Sequence, residues 1–211
     1  MSIQFAEIIT EVSIYSVLLP IAFGIKGFKS SPFILKVFLF FLCYGGVVDI
    51  CSDFISGSNH LFSTYTFIQV LFFTWFLYKV FNQSKLYKPF IFTIVFWCLL
   101  YLLCHLILLN DWQFLKLSSL FDTMAVIVTS FIAAAALVNM VKDELALTKN
   151  PVFWFCLAIF LYTFCTYFIV SFVSNPIYRE KLWWIHNLAN ITAYILYTYG
   201  FWVASKKRVL K

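Results

Sequence analysis

Residues 183–211 read WWIHNLANITAYILYTYGFWVASKKRVLK. The pair Trp183 and Trp184 suits a membrane–water interface, where amphipathic rings are enriched. His186, Asn187 and Asn190 follow along about one helical turn, then an apolar run from Ile191 to Ala204, and the stretch closes on Lys206, Lys207, Arg208 and Lys211. A helix that enters a bilayer polar and leaves it basic fixes its own orientation, because Lys and Arg are retained in cytoplasmic segments. Every segment before it inherits that orientation.

The rest of the chain has the composition such a helix requires. Its 211 residues are 63% hydrophobic and 11% charged, with a mean hydropathy of +0.92. A soluble domain is nearer about 45–50% apolar and about 25% charged, so the expected class is all-α and polytopic. The 27 Phe, 12 Tyr and 7 Trp fit lipid-facing surfaces and interfacial belts. Seven apolar segments stand out, at about 5–25, 32–53, 60–81, 87–109, 117–141, 152–174 and 183–205. Each is long enough to cross, since a span takes about 20 residues. A seven-transmembrane-helix bundle as one integral domain is therefore expected, because backbone groups in lipid must be satisfied within the segment. Seven crossings leave no room for a soluble catalytic or signalling domain. The N-terminal MSIQFAEIITEV carries acids where a cleavable signal has a basic region.

Orientation follows from the basic residues. Lys26, Lys29, Lys36, Lys79, Lys85, Lys88, Lys142, Lys149 and the four tail residues fall on one side; Lys116, Arg179 and Lys181 fall on the other. Twelve against three predicts an outer N-terminus and a cytoplasmic C-terminus in a bacterial inner (plasma) membrane. The net charge of +6 is distributed as a membrane protein distributes it, so no nucleic-acid partner is expected. The basic tail is expected to meet anionic lipid headgroups, with docking of a cytoplasmic partner as the alternative.

With that orientation Glu7, Glu11, Asp49, Asp53, Asp111, Asp122 and Glu180 lie on the outer side, together with His60, His105 and His186. Only Asp143 and Glu144 are cytoplasmic among the acids. Part of this asymmetry is bland, since excluding positive charge from one side leaves acids there. The informative acids are those inside spans, where a mid-bilayer charge costs about 2.5–3.5 kcal/mol and so tends to face the bundle interior. Glu7 with Glu11, Asp49 with Asp53, Tyr65 with Gln69 and His186 with Asn190 are each spaced i,i+4 and share a helix face. Asp122 and Asn187 complete the candidate set, which is expected to line an outward-opening ligand-binding pocket. The competing reading is interhelical hydrogen bonding plus solvated helix ends. Asn187, Asn190 and Gln69 individually read more readily as packing groups.

Other chemistries find less support. The six cysteines (Cys43, Cys51, Cys98, Cys104, Cys156, Cys165) fall in apolar runs with no CxxC pair and read as small buried hydrophobes, Cys51 and Cys104 standing nearer polar residues. No HxxxH or HExxH pair favours a metal, no GxSxG elbow favours a nucleophile, and no lysine in the last span could hold retinal. No cofactor is expected. Pro20 is expected to kink the first helix, and Gly45–Gly46 and Ala133–Ala136 mark places where helices can approach closely. The aromatic run of the sixth span, Phe153 to Phe168, reads as packing and lipid contact.

Ile185-His186-Asn187 with Asn190, Phe153 with Trp154, Tyr65 with Gln69, and Asp49 together resemble an uncharacterised Bacteroidetes-type group of seven-helix integral membrane proteins. The group carries an acid where this chain has Gln69, so a charged role there is not carried over. Its members are similar to the membrane sensory halves of histidine kinases, without a kinase attached. The outer polar cluster, combined with the expected lack of an output domain, favours a sensor or receptor-like protein that takes a small ligand or a proton from outside and signals to a separate cytoplasmic protein. The alternatives are an intramembrane hydrolase acting on lipid and a proton-coupled transporter of small solutes. An enzyme is the less favoured class.

Overall fold

The computed structural model describes the backbone of residues 3–54, 59–81, 87–106, 111–143, 147–172 and 176–206, and every regular element among them is helical. The helices are α1 (Ile3–Ser16), α2 (Leu18–Lys26), α3 (Phe33–Phe54), α4 (Asn59–Phe81), α5 (Tyr87–Leu106), α6 (Asp111–Asp143), α7 (Pro151–Phe172) and α8 (Pro176–Lys206), with one 3₁₀ turn, Leu147–Lys149, before α7. Asp53, His60, His105, Asp111, Asp143, Glu144 and Glu180 lie outside the residues whose side chains are described, as do Lys85, Lys88, Lys116, Arg179, Lys181 and the tail beyond Lys206.

The first apolar segment folds as two helices because of Pro20. Proline has no N–H to donate to the carbonyl four residues back, here that of Ser16. The next donor is also stretched, Ile21 N–H reaching the Val17 carbonyl at 3.4 Å. Ser16 turns its hydroxyl onto the Ser13 carbonyl at 2.6 Å. Val17 keeps right-handed helical angles (φ −60°, ψ −26°), so the junction is a kink rather than a loop.

Four helical stretches among the described residues are long and apolar enough to cross a membrane: Phe5–Lys26, Phe33–Cys51, Phe121–Lys142 and Pro151–Ile169. Residues Phe90–Leu103, the part of α5 whose side chains are described, are apolar as well. Helix α4 carries Thr64, Tyr65, Thr66, Gln69 and Thr74, and α8 carries His186, Asn187, Asn190, Thr192 and Thr198. Those polar groups dilute the apolar character of the helices that bring most of the interior polar groups. Two boundaries also move outward, α6 beginning at Asp111 and α8 at Pro176. At about 1.5 Å per residue, the 31 residues of α8 outreach the hydrocarbon layer of about 30 Å.

The surface is what lipid contact requires. Phe33, Phe40, Phe92 and Phe131 are each well over half exposed, and an exposed apolar surface of this extent marks contact with membrane or partner. Inside, α8 packs most extensively on α7, and α7 on α6, while α1 and α2 lean on α8, and α4 on α5 and α6. Phe38 of α3 is fully buried at the centre, with ring centroids 5.0 Å from Phe76, 4.7 Å from Phe155 and 4.8 Å from Tyr197. One ring thereby ties α3, α4, α7 and α8 together. Small residues set the closest approaches: Ala133, Ala136 and Ala158 are buried, and a Cβ on Gly200 would fall 2.5 Å from Phe155 Cε2. A second, smaller core joins α4, α5 and α6 through Val70, Trp97, Phe121 and Ala125.

The described lysines collect at one end of this bundle. Lys26, Lys79, Lys142 and Lys206 each occupy the last turn of a helix, and Lys149 ends the 3₁₀ turn. Gly27, after α2, sits against Phe201 and Ser205 near the end of α8, which places Lys26 and Lys206 at the same end.

Candidate interior polar site

The polar groups gather at the other end and are positioned by helical spacing. His186, Asn190, Tyr194, Tyr197 and Phe201 recur every three or four residues and form one stripe of α8. Tyr162 and Thr166 make the facing pair on α7, Tyr65 and Gln69 the pair on α4, and Thr10 and Ser13 the pair on α1.

Two polar groupings run through these stripes. In one, Tyr162 stands beside Gln69 and Thr166, and the Thr166 hydroxyl lies 3.3 Å from His186 Nδ1. Thr166 thereby ties α7 to α8. The His186 ring sits between Trp183 and Tyr162, with centroids at 4.9 and 5.6 Å. In the other, Asn190 Nδ2 donates to Ser13 Oγ at 3.1 Å, with Tyr194 one turn further along α8. Asn187 Nδ2 donates to Thr10 Oγ1 at 2.8 Å, whose own hydroxyl donates to the Ala6 carbonyl at 2.9 Å. A buried amide left unpaired costs about 1–3 kcal/mol, so these partners matter more than their net worth suggests.

Two carboxyl groups stand within electrostatic range of the tyrosines. Asp49 of α3 is half-buried and within electrostatic range of Tyr65, Tyr162 and Tyr194, and Asp122 of α6 within range of Tyr162. Tyr65 passes its hydroxyl against Gly45, where a Cβ would lie 3.0 Å from Oη. Glycine at 45 is thus what lets that phenol cross α3.

The candidate residues separate accordingly. Asp49, Tyr65, Gln69, Asp122, His186 and Asn190 come together around Tyr162 and Tyr194, and Asn187 secures α1 beside them. Glu7 and Glu11 do not join: both are exposed, because α1 turns Ile9, Thr10 and Ser13 inward and its acids lie on the opposite face. Asp53 falls outside the described side chains. The sequence reading passed over Tyr162, Thr166, Tyr194, Tyr197, Thr10 and Ser13. Their signal was present as i,i+4 and i,i+3 spacing, hidden because a tyrosine in an aromatic-rich helix reads as packing. Among the described residues no group of three or more His, Cys, Asp and Glu is arranged to hold a metal ion.

Fold and site together define an all-helical bundle with apolar, lipid-compatible faces and a phenol-rich polar interior toward one end. No protein-family model matches the chain, and no curated protein or solved structure matches it.

Proposed function

We propose that the chain is a receptor-like or sensory seven-crossing protein of the bacterial inner membrane, N-terminus outside and C-terminus cytoplasmic, related to the membrane sensory halves of histidine kinases. Its interior polar site takes a small polar ligand or a proton from the outer side, and the resulting change in helix packing is passed to a separate cytoplasmic protein. One observation carries the reading. Interior polar groups from α1, α3, α4, α6, α7 and α8 meet through hydrogen bonds or lie within electrostatic range of one another, so a new bond or proton among them alters how those helices hold one another. The lysines at the far end, with their expected cytoplasmic placement, support the orientation.

The test is thermal unfolding of the purified protein in nanodiscs, across about pH 5–8 and against a panel of small polar solutes. Asp49→Asn and His186→Ala are compared with the native chain. A shift in unfolding temperature that either substitution removes supports the site. Indifference of the native protein to pH and to every solute, with both variants unfolding alike, ends the proposal.

A proton-coupled transporter is the second reading, favoured by the approach of both Asp49 and Asp122 to Tyr162. Solute uptake in proteoliposomes driven by an imposed pH gradient separates it from a sensor.

A further inference from the structure

Where α7 begins and α8 ends, an exposed aromatic ladder stands beside the lysines. Trp154 Nε1 donates to the Thr148 carbonyl at 3.0 Å, which ties the indole to the turn carrying Lys149. The Trp154 ring meets Tyr199 at 4.5 Å, Tyr199 meets Trp202 at 5.1 Å, and Lys206 Nζ lies 3.7 Å over the Trp202 ring. Asn150 Oδ1 accepts the Val152 N–H at 3.0 Å and holds the turn in register with α7. Lys149, Tyr199, Trp202 and Lys206 are all exposed. Ile195, Thr192 and Leu188 continue the same exposed stripe toward the N-terminal end of α8.

We propose that this edge binds an anionic phospholipid, its phosphate held by Lys149 and Lys206 and one acyl chain laid along the Leu188–Trp202 stripe of α8. Charge complementarity selects the occupant. One ammonium lies over the Trp202 ring, the turn that carries Lys149 is tied to Trp154 of the same ladder, and a mostly apolar exposed stripe of α8 leads away from them. Stacking on Trp202 holds the Lys206 ammonium at that boundary rather than free in solvent. The site is separate from the interior polar network and stands or falls independently of it.

The experiment is a titration of the full chain in neutral detergent with phosphatidylglycerol, phosphatidylcholine or inorganic phosphate, read by native mass spectrometry and unfolding temperature. Phosphatidylglycerol is expected to bind and stabilise, while phosphatidylcholine and inorganic phosphate do neither. Each lysine near an anionic surface contributes about fivefold, so Lys149→Gln with Lys206→Gln should weaken phosphatidylglycerol binding about 25-fold, and Lys206→Gln alone about fivefold. Replacing Lys207, Arg208 and Lys211 by Gln, with Lys149 and Lys206 intact, should leave most of the binding. Equal binding of phosphatidylcholine, equal stabilisation by inorganic phosphate, or loss confined to the tail variant would overturn the proposal.

Discussion

Asn187 of the last helix donates its amide N–H to the hydroxyl of Thr10 in the first, at 2.8 Å across 177 positions of sequence. With Asn190 on Ser13 one turn further along, it fastens the half-helix before the Pro20 kink to α8. The two ends of the chain are therefore joined inside the polar region.

Asn187→Ala should destabilise the fold, since it removes the donor and leaves the Thr10 hydroxyl with its local carbonyl alone. Interhelical hydrogen bonds in membrane bundles couple by about 0.6 kcal/mol on average and up to about 1.7. A double-mutant cycle of Asn187→Ala with Thr10→Val, followed by denaturant unfolding in mixed micelles, should return a coupling in that range. A coupling near zero would show that the bond does not fasten α1.

Gly200→Ala should be poorly tolerated, because its Cβ would fall 2.5 Å from Phe155 Cε2 and 3.2 Å from the Pro151 carbonyl. Overpacking of this kind costs about 1–3 kcal/mol. Gly46→Ala is the contrast: its nearest neighbour is Val17 Cγ1 at 3.4 Å, an ordinary contact. Its unfolding midpoint should stay close to native, and Phe155→Leu should partly rescue Gly200→Ala.

Thr166→Val should cost more than Thr163→Val, although both threonines are buried on α7. Thr163 spends its hydroxyl on the Ile159 carbonyl of its own helix at 2.7 Å, while Thr166 reaches across to His186 of α8 at 3.3 Å. The difference is expected at about 1 kcal/mol, the net value of a side-chain hydrogen bond. Equal losses in unfolding free energy would mean that the bridge is idle.

Cysteine labelling checks both burial and orientation. Cys51 is exposed near the end of α3 and Cys156 is buried in the core. A membrane-impermeant maleimide added to spheroplasts should label a variant retaining Cys51 alone and leave a variant retaining Cys156 alone untouched. Labelling of Cys51 only in inverted vesicles would reverse the proposed topology.

The sequence was most legible where a single helix carries the signal. The last stretch announced a helix with a polar start and a basic end, and α8 runs from Pro176 to Lys206. Pro20 announced the kink, and Ala133 and Ala136 their burial. The candidate site was legible only in part. Spacing groups residues on one helix face, yet it treats the face of Glu7 and Glu11 like that of Asp49, and α1 turns the first two outward.

Composition and hydropathy determined the helical, lipid-compatible class, because satisfying backbone groups and matching an apolar environment depend on each segment alone. Which face of each helix looks inward was decided only by the tertiary structure. That choice rests on contacts between helices far apart in sequence, such as Phe38 meeting Phe155 and Tyr197, Gly200 admitting Phe155, and Asn187 reaching Thr10. A period of 3.6 residues shows which side chains travel together, and only packing selects the side that becomes the interior.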